Sequence, residues 1–89
     1  MGIETVLFKN EEKKISSDVV IALRQIADKI DVGTMILKKG SEEITIEFPK
    51  DMVLELKVEE EHGERLKKSF EIEIEWIVGN EQDGGATII

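Results

Sequence analysis

The chain has no cysteine and no tyrosine, and its 89 residues include one proline, one histidine and one tryptophan. Without cysteine it forms neither a disulfide nor a thiolate metal site, and a single histidine excludes a multi-histidine metal centre within one chain. No apolar run approaches the roughly 20 residues that a membrane helix needs. Residues 1–5 also lack the pattern of a signal peptide. We therefore expect a small soluble, cytoplasmic domain without a cofactor.

Basic residues are scarce as well, because 12 lysines and arginines stand against 20 aspartates and glutamates, for a net charge of −8. Affinity for nucleic acid depends on basic side chains that displace counterions from phosphates, so we expect no nucleic-acid partner. Anionic membranes are disfavoured for the same reason. The charge allows a basic protein partner, or none. An excess of Glu and Lys over Asn and Gln is typical of heat-adapted proteins and predicts a thermostable protein.

One segment, residues 17–32, has the pattern of an amphipathic helix. Apolar side chains recur there at helical spacing, with charged residues between them. Ser16 can serve as the N-cap, and Asp18 lies in the first turn, where the helix dipole favours a negative charge. Gly33 follows as the residue that ends the helix. The apolar positions are Val19, Val20, Leu23, Ile26, Ala27 and Ile30.

Five further segments have the alternation of strands. In residues 69–77 the alternation is strict, since Phe70, Ile72, Ile74 and Trp76 alternate with glutamates. Because side chains of a strand point to opposite faces with period two, this strand has one apolar and one anionic face. The five predicted strands cover residues 3–9, 34–38, 42–48, 52–60 and 66–78.

The order of elements is therefore β-α-β-β-β-β, an α+β class. The four strands after the helix need only hairpin connections, which predicts an antiparallel meander. We predict one antiparallel five-stranded sheet of order 2-3-4-5-1, with the helix packed across one face. The alternative places the first strand parallel to the second in a right-handed crossover. Residues 1–78 form a single domain in this prediction, and residues 79–89, with three glycines, a disordered tail.

Three segments resemble the amphi-Trp domain family. They are M-G-I-E-T-V-L-F-K at the start, A-L-R-Q-I-A-D-K-I-D-V-G in the helix and F-E-I-E-I-E-W at the end of the last strand. The family comprises small prokaryotic domains, many of them archaeal, named for an amphipathic strand that ends in tryptophan. The resemblance covers residues 1–76 and makes Trp76 a signature position. It implies no activity, substrate or catalytic residue.

Carboxylates dominate one predicted face, where Glu71, Glu73 and Glu75 lie beside Glu55 and Glu59. A calcium site needs six to eight converging oxygens on a curved loop, whereas a flat strand spreads its carboxylates apart. We therefore interpret this stripe as a solvated surface, with no metal site.

The remaining polar residues suggest no catalytic site. His62 lies among glutamates, where it could sense pH, but we interpret it as an exposed turn residue. Ser17, Ser41 and Ser69 have no histidine beside them to act as a base. No glycine motif of a phosphate-binding loop occurs. The sequence therefore predicts that the chain is not an enzyme.

Trp76 shares its face with the apolar residues of the last strand, so it is either a core residue or a contact residue. Five strands span about 24 Å, whereas a helix is about 10–12 Å across, so one helix leaves apolar area uncovered. This mismatch favours a homodimer over a monomer with a curled sheet. The candidate contact residues are Trp76 and three apolar positions on the charged face, Ile36, Val53 and Ile77.

Two functions remain open at this point. The first is a non-enzymatic protein interaction module. The alternative is a small-ligand or metal-binding domain with a pocket near Trp76, between helix and sheet. In either case the predicted core joins Leu23, Ile26 and Ile30 of the helix to Ile46, Leu56 and Ile72 of the sheet.

Overall fold

The structure, a computed structural model, describes residues 2–79, which contain one helix and four strands. The elements are α1 (Ser16–Val32), β1 (Thr34–Lys39), β2 (Glu42–Glu47), β3 (Val53–His62) and β4 (Leu66–Glu75). The strands form two separate antiparallel sheets, β1–β2 and β3–β4. The chain divides into two compact units, Met1–Phe48 and Pro49–Ile89.

The broad α+β class agrees with the sequence, but the single five-stranded sheet of order 2-3-4-5-1 is wrong, as is the parallel crossover. Residues 3–9 form no strand, and β2 does not pair with β3. A two-residue turn joins β1 to β2 and a three-residue turn joins β3 to β4, and both turns produce hairpins. The β2–β3 connection is longer and contains Pro49, which lacks a backbone N–H. Alternation thus identifies strand faces without identifying strand partners.

The helix begins one residue earlier than predicted and uses a different cap. Ile15 is the N-cap residue, and its carbonyl accepts hydrogen bonds from the N–H groups of Asp18 (3.0 Å) and Val19 (3.1 Å). Ser16 is the first helical residue, so its predicted role as N-cap is wrong. At the other end, Gly33 has φ 103° and its N–H donates to the carbonyl of Lys29 at 2.9 Å, which confirms it as the terminating glycine.

The first hairpin has four apolar side chains on one face. Gly40 has φ 60° at the first position of the two-residue turn, as a type II′ turn requires. The register pairs Met35 with Ile46 and Leu37 with Ile44, and all four side chains are half-buried. The helix contacts β1, and the N–H of Phe48 donates to the carbonyl of Gly33 at 2.9 Å. This unit therefore partly shields its own apolar side chains.

The second hairpin is longer, with ten residues in each strand. Its turn comprises residues 63–65, where the Gly63 N–H donates to the Arg65 carbonyl at 3.4 Å. The register places Leu54 opposite Ile74, whereas a turn near His62 would place Met52 there. Because the shift is two residues, every side chain keeps its predicted face.

None of the residues 2–79 is fully buried, so the predicted core is wrong. Leu23 is 45% exposed, Leu56 60% and Ile72 45%. Ile26, Ile30 and Ile46 are half-buried. The apolar pattern indicates which faces favour burial, but it does not specify what covers them.

The predicted tail lies almost wholly outside the described residues, which end at Gly79. In the part of the chain that is described, α1 is too polar and too short to cross a membrane, and no other helix occurs.

Candidate functional site

The β3–β4 hairpin has two faces of opposite character. Antiparallel pairing places three apolar pairs directly opposite one another on one face, which we name the apolar face. The other face, here the anionic face, carries mainly glutamates. The apolar face consists of Leu54, Leu56, Val58, Phe70, Ile72 and Ile74. The anionic face includes Glu55, Lys57, Glu59, Glu61, Lys67, Glu71, Glu73 and Glu75.

The apolar face is open to solvent. Five of its six side chains are 45–71% exposed, and Ile74 is half-buried. Monomeric proteins rarely leave a contiguous apolar patch of this kind uncovered, and a two-stranded hairpin alone is only marginally stable in water. The six side chains therefore form one contiguous apolar patch that is largely exposed.

An ion pair borders the apolar face at the turn end of the hairpin. Glu60 and Lys68 are direct cross-strand partners on this side, with Oε2 and Nζ 3.4 Å apart. The other oxygen of Glu60 lies 3.4 Å from Nε2 of His62, whose side chain is largely exposed. His62 is the last residue of β3, so its predicted place in the turn is wrong by one position. The border at this end is thus polar but has no excess of negative charge.

A hollow borders the apolar face at the other end. It has a volume of about 960 Å³ and includes the half-buried side chains of Met52 and Trp76. The register, continued past Leu54 and Ile74, places these two residues opposite each other. The lining residues are Pro49, Lys50, Asp51, Met52, Val53, Glu75, Trp76 and Ile77.

The anionic face concentrates like charges. Glu55 lies directly opposite Glu73. The negative charges of Glu75 and then of Glu55 raise the pKa of Glu73 above its ordinary value. Lys57 Nζ lies 3.9 Å from carboxylate oxygens of both Glu59 and Glu71, which relieves part of the repulsion. Among residues 2–79, no group of three or more acidic or histidine side chains has the arrangement of a metal site.

The predicted contact residues fall in two places. Val53, Trp76 and Ile77 meet at the hollow, where Ile77 is 76% exposed. Ile36 lies on β1, on the face opposite Met35, and is also exposed. No observation tests these four residues as contacts, so they remain predictions.

The sequence predicted that one helix leaves apolar area uncovered, but it did not locate that area on the β3–β4 hairpin, because Leu56 and Ile72 were assigned to a core beneath the helix. The alternation that identified the face was available in the sequence. What was missing is the number of strands that share one sheet, since a five-stranded sheet and two hairpins have the same alternation.

A small α+β chain with an amphipathic hairpin, and with a tryptophan just beyond its last strand, belongs to the class of small amphipathic-strand domains. The family model of the Amphi-Trp domain matches residues 1–89, the whole chain, and the chain belongs to this family. The match extends past residues 1–76, where the resemblance in sequence lies. No curated protein and no solved structure matches the chain.

Proposed function

We propose that this chain is a non-enzymatic protein interaction module that binds its partner on the apolar face of the β3–β4 hairpin. The observation that carries the proposal is the exposure of five large apolar side chains on one continuous face, at 45–71%. A domain without a covered core of its own gains stability when a partner provides that cover.

The energy available from this face is sufficient for specific binding. Fully burying one large aliphatic or aromatic side chain is worth about 1.5–3 kcal/mol, so covering six that are roughly half exposed yields about 5–10 kcal/mol. The loss of translational and rotational freedom offsets much of this gain. If this loss is about 4 kcal/mol, its lowest value, about 6 kcal/mol remains, so the face alone supports affinity in the tens of micromolar or weaker.

The charge distribution narrows the class of partner. The anionic face and the net charge of −8 disfavour nucleic acid and anionic membranes. A basic protein fits the anionic face, whereas the apolar face selects for shape and hydrophobicity. The proposal therefore places the main contact on the apolar face.

The hollow beside Trp76 supports a second candidate, a small-ligand or metal-binding function. It combines an aromatic ring, a methionine and an isoleucine with the charged groups of Lys50 and Asp51. Such a mixture suits a small amphipathic ligand. Metal binding is tested by melting curves with calcium, magnesium or zinc at millimolar concentration. We expect no saturable rise in melting temperature, and a stoichiometric rise would favour the metal-binding alternative.

Two neighbouring substitutions on β4 test the main proposal. Phe70→Glu adds one negative charge to the apolar face, whereas Ser69→Glu adds the same charge to the anionic face. Ser69 lies opposite Glu59, so the control also adds repulsion across the hairpin. Affinity capture from an extract of the source organism, analysed by mass spectrometry, compares the two variants with the native chain.

We expect that the Phe70→Glu variant no longer captures the proteins that the native chain binds and that the Ser69→Glu variant still captures them. Circular dichroism of both variants establishes that each is folded. Equal capture by all three chains would contradict docking on the apolar face, and so would equal losses in both folded variants.

A further inference from the structure

We infer that the partner covering the apolar face is a second copy of this chain, stacked face to face with the first. This inference rests on the proposed function, because it names the occupant of the same face. Three observations carry it: the neutrality of the face, the distribution of its pairs along the hairpin, and its size.

The apolar face carries no net charge, although the chain as a whole is strongly acidic. The charged partners on this side, Glu60 and Lys68, neutralise each other at 3.4 Å. The opposite face carries six glutamates and two lysines, a balance of −4. Repulsion between two copies is therefore weakest when the apolar faces meet, because the anionic faces then point away from each other into solvent.

The absence of net charge on the apolar face also favours a second copy over a charged partner. A basic protein gains nothing electrostatically from a face without net charge, whereas an uncharged apolar face is complementary to another of the same kind. The chain itself presents such a face, and every molecule in solution carries one. Twofold association of identical faces is the commonest way in which proteins assemble.

The order of pairs along the hairpin determines how the two copies meet. From one end to the other, the pairs are Met52 with Trp76, three apolar pairs, Glu60 with Lys68, and His62 with Leu66. A twofold axis parallel to the strands stacks β3 of one copy on β4 of the other at the same level. Trp76 then meets Met52 of the second copy, and Glu60 meets its Lys68, so apolar groups face apolar groups and opposite charges face each other.

A twofold axis perpendicular to the strands gives a poorer match. It would place Trp76 of one copy over Leu66 at the turn end of the other. The Glu60–Lys68 pair would then lie over Leu54 and Ile74, so apolar groups would cover that ion pair. Covering charges without new polar partners is unfavourable. The structure therefore favours the axis parallel to the strands.

The size of the face indicates a reversible dimer. Two strands of ten residues cover about 34 Å by 10 Å, or about 340 Å² per copy, well below the roughly 800 Å² per partner of a standard interface. We expect association at high micromolar concentration and dissociation on dilution.

The first test is sedimentation equilibrium of the native chain, from low micromolar to millimolar concentration at moderate salt. We expect a monomer–dimer equilibrium for the native chain and for Ser69→Glu, and a monomer throughout for Phe70→Glu. A native chain that stays monomeric at millimolar concentration would overturn the inference.

The second test identifies the contact in the native chain and does not depend on whether a variant folds. An isotope-filtered NOE experiment on a mixture of labelled and unlabelled chains detects only contacts between copies. We expect contacts between the Trp76 ring and the Met52 methyl group. Contacts of Trp76 with Leu66 instead, or a dimer without contacts on the apolar face, would overturn the arrangement.

The outcomes separate this inference from the proposed function. A monomeric native chain whose capture of a different protein depends on Phe70 would overturn the second-copy inference and leave the interaction module standing. A monomeric chain whose capture is indifferent to Phe70→Glu would overturn both.

Discussion

The two hairpins of this chain have the same apolar alternation and different exposure. In the first hairpin, Met35 and Leu37 are half-buried opposite Ile46 and Ile44. In the second, the equivalent side chains are mostly exposed, with Val58 at 71%. The first hairpin shares its unit with α1, which contacts β1, whereas the second unit has no helix among its described residues. Amphipathicity thus defines a face, and a neighbouring element decides whether that face is covered.

Among these substitutions, we expect the largest loss of stability for Ile46→Ala, a truncation in the first hairpin. Because Ile46 is half-buried, we expect a loss of about 1.5–2.5 kcal/mol of unfolding free energy, at the lower end of the values for core residues. Chemical denaturation at low protein concentration measures it. An effect below about 0.5 kcal/mol would show that the first unit has no more of a core than the second.

Glycine substitutions compare the backbone of the two units. Gly33 has φ 103° and open space around its Cα, so Gly33→Ala is opposed by backbone strain alone. We expect a loss of about 1–1.5 kcal/mol, since L-residues are disfavoured at positive φ. Gly63→Ala in the second hairpin is the matched control, because its φ is ordinary and its surroundings are equally open. Equal shifts of the melting temperature in both variants would contradict backbone strain as the cause.

The effect of a truncation in the second hairpin depends on protein concentration. Leu56 is 60% exposed, so Leu56→Ala costs less than about 1 kcal/mol when the chain is dilute. At high micromolar concentration the native chain gains stability from association and the variant gains less, so the difference widens. Melting curves at two concentrations test this, with Ile46→Ala as the control whose effect stays constant. A Leu56→Ala effect that does not change with concentration would argue against association through this face.

The smallest effect concerns charge on the anionic face. The pKa of Glu73 is raised in the folded chain by Glu75 and Glu55, so its protonation stabilises the fold. That stabilisation is fully present below the pKa of the unfolded chain and is lost as the pH rises through the folded pKa. Glu73→Gln should therefore melt slightly higher than the native chain at neutral pH and equally at acidic pH.

The control for this pH dependence is Glu71→Gln, because Glu71 lies near Lys57. It should show no such gain at neutral pH. The Asn10 amide and Lys14 lower the pKa of Glu12, so its contribution to stability has the opposite pH dependence. Glu12 is present in the native chain and in both variants, so its contribution does not affect the comparison. A Glu73→Gln variant that melts lower than the native chain at neutral pH would show that the carboxylate has a favourable partner.

Local features of the fold were predictable, because they depend on neighbouring residues. Helical spacing predicted α1 within one residue, and Gly33 was predicted to end it. All four strands were predicted. The prediction of Ser16 as the N-cap was wrong because a helix can start at either residue. The actual cap, Ile15, has a side chain that makes no capping hydrogen bond, so the sequence does not mark it.

Pairing between distant segments was not predictable, because alternation carries no information on which strands meet. A strand was predicted at residues 3–9, but these residues form no strand. The candidate site followed the same rule. Trp76, Val53 and Ile77 were predicted as contact residues, which stays a prediction, and all three line the hollow. Leu56 and Ile72 were assigned to a core, but both are exposed.

The central claim is that the apolar face of β3–β4 is open in a single chain and covered when a second chain binds. Amide hydrogen exchange, measured on the native chain at low micromolar and at millimolar concentration, tests it most directly. We predict that exchange in β3 and β4 slows with concentration, while exchange in α1, β1 and β2 stays the same. Equal protection of β3 and β4 at both concentrations would contradict the claim.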